Sequence, residues 1–259
     1  MKIALTSINQ IWEDKQENKV VCVRCFEHAK QSKADLIIFP EMTLTGFSMN
    51  TKLTAESFED SETIKFFSQH SKKNEIASIF GVCLDEKSGI TNAAVFINKL
   101  GIIENVYRKI HPFSFAGENT YFVSGNDTAI VNFEETKFGL SICYDLRFPE
   151  LYRLYASNCQ IMINIANWPE RRIDHWNTLL KARAIEDQFF VIGVNRVGSD
   201  NNGLSYVKSS IVFSPDGTKL DPVDSKEDVL FFDVNPEFVK SYRSSFPVLS
   251  DIKIKTIIH

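Results

Sequence analysis

The chain reads as an α/β protein built on two mixed β-sheets with helices outside them. Three observations predict this. Short apolar runs alternate with amphipathic segments along most of the chain, the pattern of strands and helices in turn. Some neighbouring runs are joined by tight turns and others by helices, so hairpins and crossovers coexist. The hairpins are too many for one doubly wound parallel sheet. Composition permits the fold: of 259 residues, 44% are hydrophobic and 24% charged, ordinary for a globular chain. The 21 phenylalanines are an aromatic-rich allotment, and each contributes about 1.5–3 kcal/mol when buried. Disordered, collagen-like and coiled-coil chains are excluded. No linker, repeat or low-complexity stretch divides the sequence. The expectation is one domain over residues 1–259, with 241–259 as a C-terminal tail.

Each element follows from its own residues. Ile3–Ile8 is the first strand. Asn18–Lys33 is an amphipathic helix, with Val20, Val21, Phe26 and Ala29 among its apolar positions. Asp35-Leu36-Ile37-Ile38-Phe39-Pro40-Glu41 is a buried strand stopped by its proline, with Glu41 at its C-terminal end. Residues 57–73 carry Phe58, Ile64 and Phe67 at helical spacing. Ile76–Val82 and Asn92–Asn98 are strands, and the turn Asn98-Lys99-Leu100-Gly101 makes Ile102–Tyr107 a hairpin partner. A loop rich in Pro, Gly, Ser and Asn spans Lys109–Gly125. Ala129–Phe133 and Phe138–Cys143 are strands, and Pro149 suits the first turn of a helix reaching Ala156. Gln160–Ala166 is a buried strand and Ile173–Asp187 a helix. Phe189–Asn195 and Tyr206–Phe213 are strands, followed by the turn Ser214-Pro215-Asp216-Gly217 and a last core strand, Val229–Val234. The tail from Ser241 is Ser-rich. Ile252–Ile258 then alternates, as a sheet-edge strand or a segment crossing to a partner chain.

The net charge of −4 is not the footprint of a nucleic-acid binder. It leaves room for an anionic small substrate, which needs only local cations. No run reaches the ~18 apolar residues of a membrane span. The N-terminus reads as a strand and not as a signal peptide. Five cysteines, an odd number, then point to free thiols and a cytoplasmic setting. Cys22-Val23-Arg24-Cys25, followed by His28, spells a redox pair or half a metal site. It lies inside a helical pattern with no second pair to complete a zinc site, so core packing is the reading. The histidines are not clustered, and no metal is implied. Serine-hydrolase and nucleotide-binding glycine motifs are absent.

Three polar residues stand where active-site groups tend to stand, at strand ends: Glu41, Lys109 and Cys143. A thiolate can attack a carbonyl or nitrile carbon, a carboxylate can take the thiol proton and later activate water, and an ammonium can stabilise an oxyanion. Taken singly, a glutamate after a strand is ordinarily a solvated end, and a cysteine closing an apolar run is ordinarily core.

The surrounding words are more specific. Phe39-Pro40-Glu41, Tyr107-Arg108-Lys109-Ile110-His111 and Cys143-Tyr144-Asp145-Leu146-Arg147-Phe148-Pro149-Glu150 resemble, in chain order, the three signature regions of the nitrilase superfamily of carbon–nitrogen hydrolases. The resemblance covers roughly residues 1–235. Asn167-Trp168-Pro169, His175-Trp176, Ala182-Arg183-Ala184-Ile185-Glu186 and Asn195-Arg196-Val197-Gly198 look like the omega-amidase branch. So does the 109–125 loop with His111, Phe113, Gly117-Glu118 and Gly125.

The resemblance implies a four-layer α-β-β-α sandwich, and hydrolysis of the terminal amide of a 2-oxo acid monoamide through a thioester. It implies Glu41 as general base, Lys109 as oxyanion stabiliser, Cys143 as nucleophile, and Glu118 as a second glutamate that orients substrate and supports Lys109. Tyr144, through its N–H, and Trp168 are implied at the oxyanion hole and substrate site. No metal or organic cofactor is implied. A homodimer is, with Phe148–Tyr155 and Ile173–Ile185 as interface helices. Lys208-Ser209-Ser210 departs from the branch pattern. Arg171, Arg172 and Lys208 are candidates for a substrate carboxylate, though each is ordinarily a surface charge, and Arg147 reads as structural, paired with a nearby carboxylate. Alternatives are an amidase of N-carbamoyl or aliphatic amides, a non-catalytic binding member, or a thiol protein built on Cys22 and Cys25.

Overall fold

In the first strand, Ile3 and Leu5 enter one apolar cluster and Ala4 another. Side chains alternate across a strand, so a strand apolar on both faces needs cover on both. The computed structural model, which describes residues 1–253, supplies that cover as four layers. The first part of the chain forms β1 (Lys2–Thr6), α1 (Lys15–Gln31), β2 (Leu36–Ile38), the short α2 (Thr51–Thr54) and β3 (Glu56–Ser57), α3 (Glu62–Asn74), β4 (Ala77–Glu86), β5 (Gly89–Ile97) and β6 (Ile103–Arg108). There follow α4 (Glu118–Tyr121), β7 (Ile130–Phe133), β8 (Thr136–Ile142), α5 (Pro149–Ala156), β9 (Ile161–Ala166), α6 (Ile173–Asp187) and β10 (Phe190–Asn195). The chain then forms β11 (Gly198–Ser199), β12 (Ser205–Tyr206), β13 (Ile211–Phe213), β14 (Asp224–Lys226), β15 (Val229–Asp233) and α7 (Glu237–Ser245).

The first sheet runs β14-β15-β1-β2-β4-β5-β6, with β3 beside β4, and the second runs β13-β10-β9-β8-β7. Both are mixed: β1, β2 and β4 pair in parallel while β4–β5–β6 is antiparallel, and β8, β9 and β10 are parallel with antiparallel edges. Ile38, Ile79 and Phe96 from one sheet and Leu140, Ile163 and Ile192 from the other form the apolar layer between them. Outside the first sheet, Cys22, Phe26 and Ala29 of α1 and Ile64 and Phe67 of α3 pack on Ile37 and Phe80, with the Phe67 and Phe80 rings stacked at 3.9 Å. Outside the second, Tyr152 and Tyr155 of α5 and Trp176, Leu180 and Ala184 of α6 cover Met162 and Val191. The predicted α-β-β-α sandwich is the observed architecture.

Several boundaries differ, each for a local reason. The helix expected from residue 57 begins at Glu62, because the Ser61 hydroxyl accepts from the Ile64 N–H at 3.1 Å and caps it there. The strand expected over Tyr206–Phe213 is interrupted: Trp176 Nε1 donates to the Ser209 carbonyl, and Asn195 donates to the Ser209 and Ser210 hydroxyls. The Lys208-Ser209-Ser210 departure is thus a bend whose serines bind inward. The tail does not begin at Ser241. Helix α7 runs through it, because Val239 is buried and Arg243 donates to the carbonyls of Cys159, Asp187 and Gln188. The alternating segment Ile252–Ile258 lies mostly outside the described residues.

Candidate active site

Glu41 follows β2 where Pro40 ends the strand, in a turn that passes directly over β4. A Cβ on Gly81 of β4 would lie 2.2 Å from the Met42 nitrogen and 2.7 Å from the Glu41 Cα, so only glycine permits the approach. Thr43 and Gly81 lock the crossing by a backbone bond at 2.9 Å, and Gln10 and Asn167 side-chain amides hold the Glu41 carbonyl at 2.9 and 2.7 Å. Lys109 follows β6, with its N–H on the Asn92 carbonyl. Gly125 folds back onto it, and a Cβ there would meet the Arg108 carbonyl at 2.2 Å. Glu118 opens α4.

These three charged side chains are fully buried together. Lys109 Nζ donates to Glu41 Oε1 at 2.9 Å and to Glu118 Oε2 and Oε1 at 2.8 and 3.1 Å. Burial alone disfavours the ammonium, but the Glu118 and Glu41 carboxylates outweigh it and hold the pKa of Lys109 well above the usual lysine range. Glu41 Oε2 accepts the Asn167 N–H at 2.9 Å. Asn92 Nδ2 donates to Glu41 Oε1 at 2.8 Å and to Glu118 Oε1 at 2.9 Å. The cluster sets two carboxyl groups against one lysine, with neutral donors beside them.

Cys143 lies beside it, between β8 and a 3-10 turn over Cys143–Arg147, with φ +46°. Left-handed backbone at a non-glycine residue is strained and needs support. Asp145 gives it: its carboxylate accepts from the Ile142 N–H, the Tyr107 hydroxyl and both the N–H and Nδ1 of His111, all at 2.8–3.0 Å. Arg183 of α6 donates twice to the Leu146 carbonyl in the same turn. The Cys143 thiol points to the Asn167 carbonyl at 4.0 Å. Burial and the Glu41 charge push its pKa well up, with Glu118 adding to this and Lys109 opposing it. Burial thus favours the thiol form of Cys143, beside the Glu41 side chain.

Cys143 opens onto a cavity of about 440 Å³ whose lining includes Tyr144, Trp168, Phe113, Arg147, Arg171 and Arg172. The structure brings together the six residues the sequence singled out: Glu41, Lys109 and Glu118 bond to one another, and Cys143, Tyr144 and Trp168 line the cavity. Arg147 is not paired with a carboxylate: its guanidinium lies 4.8 Å from the Trp168 ring, because the nearby Asp145 is already saturated. Lys208 is not in the lining, and its ammonium reaches the Glu227 carbonyl. His111 stacks on Phe148 at 3.7 Å and serves Asp145, and His175 meets Arg147, so neither is bonded to Cys143. Cys22 and Cys25 are core residues of α1. Asn92 and Asp145 were not singled out by the sequence. The only signal for Asn92 was an amide within an otherwise apolar strand. Among the described residues no group of three or more His, Cys, Asp or Glu side chains is set to hold a metal.

Known proteins share this arrangement of the chain. The carbon-nitrogen hydrolase family model matches residues 2–244. The omega-amidase YafV of Yersinia enterocolitica is 32% identical, over 97% of this chain and 96% of its own. A 2-oxoglutaramate amidase of Paenarthrobacter nicotinovorans is 38% identical, over 85% of this chain and 78% of its own. The crystal structure of a CN-hydrolase superfamily protein from Xanthomonas campestris, which carries an arsenic adduct in its active site, superposes with a TM-score of 0.92 at 28% identity, covering 100% of this chain and 99% of that one. Matched from its first strand to its last helix, the chain belongs to the carbon–nitrogen hydrolase family and is an enzyme of C–N bond hydrolysis.

Proposed function

We propose that the protein is a cysteine-dependent omega-amidase that hydrolyses the terminal amide of a small 2-oxo acid monoamide such as 2-oxoglutaramate. The observation that carries this reading is the buried Glu41–Lys109–Glu118 cluster set against the Cys143 thiol. A buried thiol is a weak nucleophile until its proton is removed. Glu41 takes that proton as sulfur bonds to the amide carbon. It then passes the proton to the amide nitrogen, which leaves as ammonia while the C–N bond breaks. The resulting thioester is attacked by water; Glu41 accepts a water proton and returns it to sulfur as the C–S bond breaks. The sum is amide plus water giving acid plus ammonia. Lys109 and the Tyr144 N–H face the oxyanion, where one lost donor typically costs about 2.7–4 kcal/mol of barrier. Glu118 holds Lys109, and Trp168 shapes the cavity wall.

An anionic substrate suits the cavity. Arg147 and Arg172 lie over aromatic rings, not against carboxylates. Burial, with Arg171 and Arg147 as like-charged neighbours, lowers the pKa of Arg172, and an incoming carboxylate relieves that crowding. The same reading takes residues 1–259 as one hydrolase domain. It pairs two copies through the 148–155 and 173–185 helices, where Leu154 and Ile185 are half-exposed, and places the enzyme, with its free thiols, in the cytoplasm.

Ammonia release from 2-oxoglutaramate is the test. The wild type releases it and Cys143→Ala does not. Equal release by both removes Cys143 as nucleophile, and release by neither, with turnover of a neutral or N-carbamoyl amide, removes the substrate assignment.

A further inference from the structure

Two ionised carboxylates sharing one lysine in a dry site repel each other. The ordinary result of such crowding is that one of them takes up a proton. A general base that is protonated at working pH is no base, so something must oppose that uptake. Lys109 neutralises only one of the two charges.

Asn92 stands between them. It sits in β5, fully buried, and its Nδ2 donates to Glu41 Oε1 at 2.8 Å and to Glu118 Oε1 at 2.9 Å. The amide has two hydrogens, and each carboxylate receives one. Its orientation is informative. Oδ1 has no hydrogen-bond partner among the described residues, so the nitrogen faces the carboxylates although that leaves the oxygen unsatisfied. An unsatisfied buried acceptor is costly. Two amide hydrogens suit two carboxyl oxygens that both act as acceptors. The backbone of Asn92 also takes part, because its carbonyl accepts the Lys109 N–H at 2.8 Å. One residue thus registers both carboxylates and the lysine. The other titratable group beside it is Cys83, its cross-strand partner on β4. Burial pushes the Cys83 thiol up to about 12, opposed by Thr54 and Lys15 and reinforced by Glu118 and Glu41.

We propose that Asn92 is a positioning residue that keeps Glu41 and Glu118 both ionised in the resting enzyme, and so sets the acid limb of the pH–rate profile. The inference rests on Glu41 acting as the base. Asn92 is not among the residues lining the cavity, so its loss acts on kcat and not on substrate binding.

The experiment compares wild type, Asn92→Ala and the near-isosteric Asn92→Asp, each checked for folding by thermal unfolding. Two pH profiles are recorded. One is kcat/KM for ammonia release from 2-oxoglutaramate. The other is the rate of Cys143 alkylation by iodoacetamide, read by mass spectrometry, which needs no substrate. The acid limb is expected to move up by about one pH unit in Asn92→Ala and further in Asn92→Asp. On the acid limb, kcat carries the loss while KM stays within about threefold. A uniform fall at all pH values with an unmoved limb overturns the proposal and leaves Asn92 a packing residue. A wild type inert toward 2-oxoglutaramate, with the alkylation limb still displaced in the variants, sinks the substrate reading and supports Asn92.

Discussion

Arg172 lies 5.4 Å from the centre of the Phe113 ring, on the cavity wall. A charge-assisted bond to a substrate carboxylate is worth about 1.5–3 kcal/mol, or roughly tenfold or more in affinity. Arg172→Gln is therefore expected to raise KM for 2-oxoglutaramate about tenfold, with kcat little changed and turnover of neutral butyramide unaltered. An equal loss on both substrates would show that Arg172 shapes the cavity and does not read the carboxylate. Asp145 is the other single residue with much depending on it. Asp145→Ala strands donors on Ile142, Tyr107 and His111, at about 1–3 kcal/mol for each buried one. The expected result is a loss of at least about 3 kcal/mol in urea unfolding, with slower Cys143 alkylation. At this scale Glu41, Lys109, Glu118 and Cys143 were legible because each sits in a distinctive local word. Asn92 was not, because its partners are 51 and 26 positions away and an asparagine in a strand carries no sign of them. Arg147 was misread because the carboxylate beside it in sequence is occupied by other donors.

Among the elements, β4 is the one that the site leaves least free. Its Gly81 lies so close under the Glu41 turn that a Cβ would sit 2.2 Å from the Met42 nitrogen. Gly81→Ala must push the strand and the turn apart, and overpacking of this kind costs about 1–3 kcal/mol. The larger expected effect is on kcat, because the turn carries Glu41, the proposed base. Chemical denaturation and steady-state rates measured on the same variant separate the two, and an unchanged kcat would mean that the turn yields without moving Glu41. Element reading succeeded where propensity and packing agree. Helix α6 has the bounds its apolar spacing indicated, Ile173–Asp187, and Pro149 opens α5 as its fixed φ favours. It failed where tertiary contacts decide. Helix α7 is Ser-rich, and it forms because Val239 is buried in the layer between the sheets and Arg243 binds the carbonyls of Cys159 and Gln188. The strand after Tyr206 breaks because a tryptophan indole takes a carbonyl that a ladder would have used.

Across the whole molecule, two sheets share one apolar layer, and Phe96 of the first meets Phe133 of the second at 5.7 Å. Removing that ring is expected to cost about 3–5 kcal/mol, as for other buried phenylalanines, and Phe96→Ala unfolding measured against wild type checks it. A cost below about 1 kcal/mol would mean that the layer collapses around the gap. The fold class was legible at this scale because hairpins and crossovers leave different marks in sequence. The assignment of strands to particular sheets was not, since β15 returns from the far end of the chain to pair with β1, Lys2 opposite Asp233.

The groups of the site divide along the same line. Glu41, Asn92, Lys109 and Glu118 hang from the first sheet's strand ends and the loop beyond them, and Cys143, Asn167 and Trp168 hang from the second's. Hydrogen bonds join the halves at the chemistry: Asn167 donates its N–H and its side-chain amide to Glu41, and Asp145 accepts from Tyr107 and His111. Turnover is then a gauge of closure. As urea loosens the sandwich, ammonia release is expected to fade at or before the far-ultraviolet dichroism of the separate sheets, and activity outlasting the dichroism would contradict this. An assay of the enzyme is in effect an assay of whether its seam is shut.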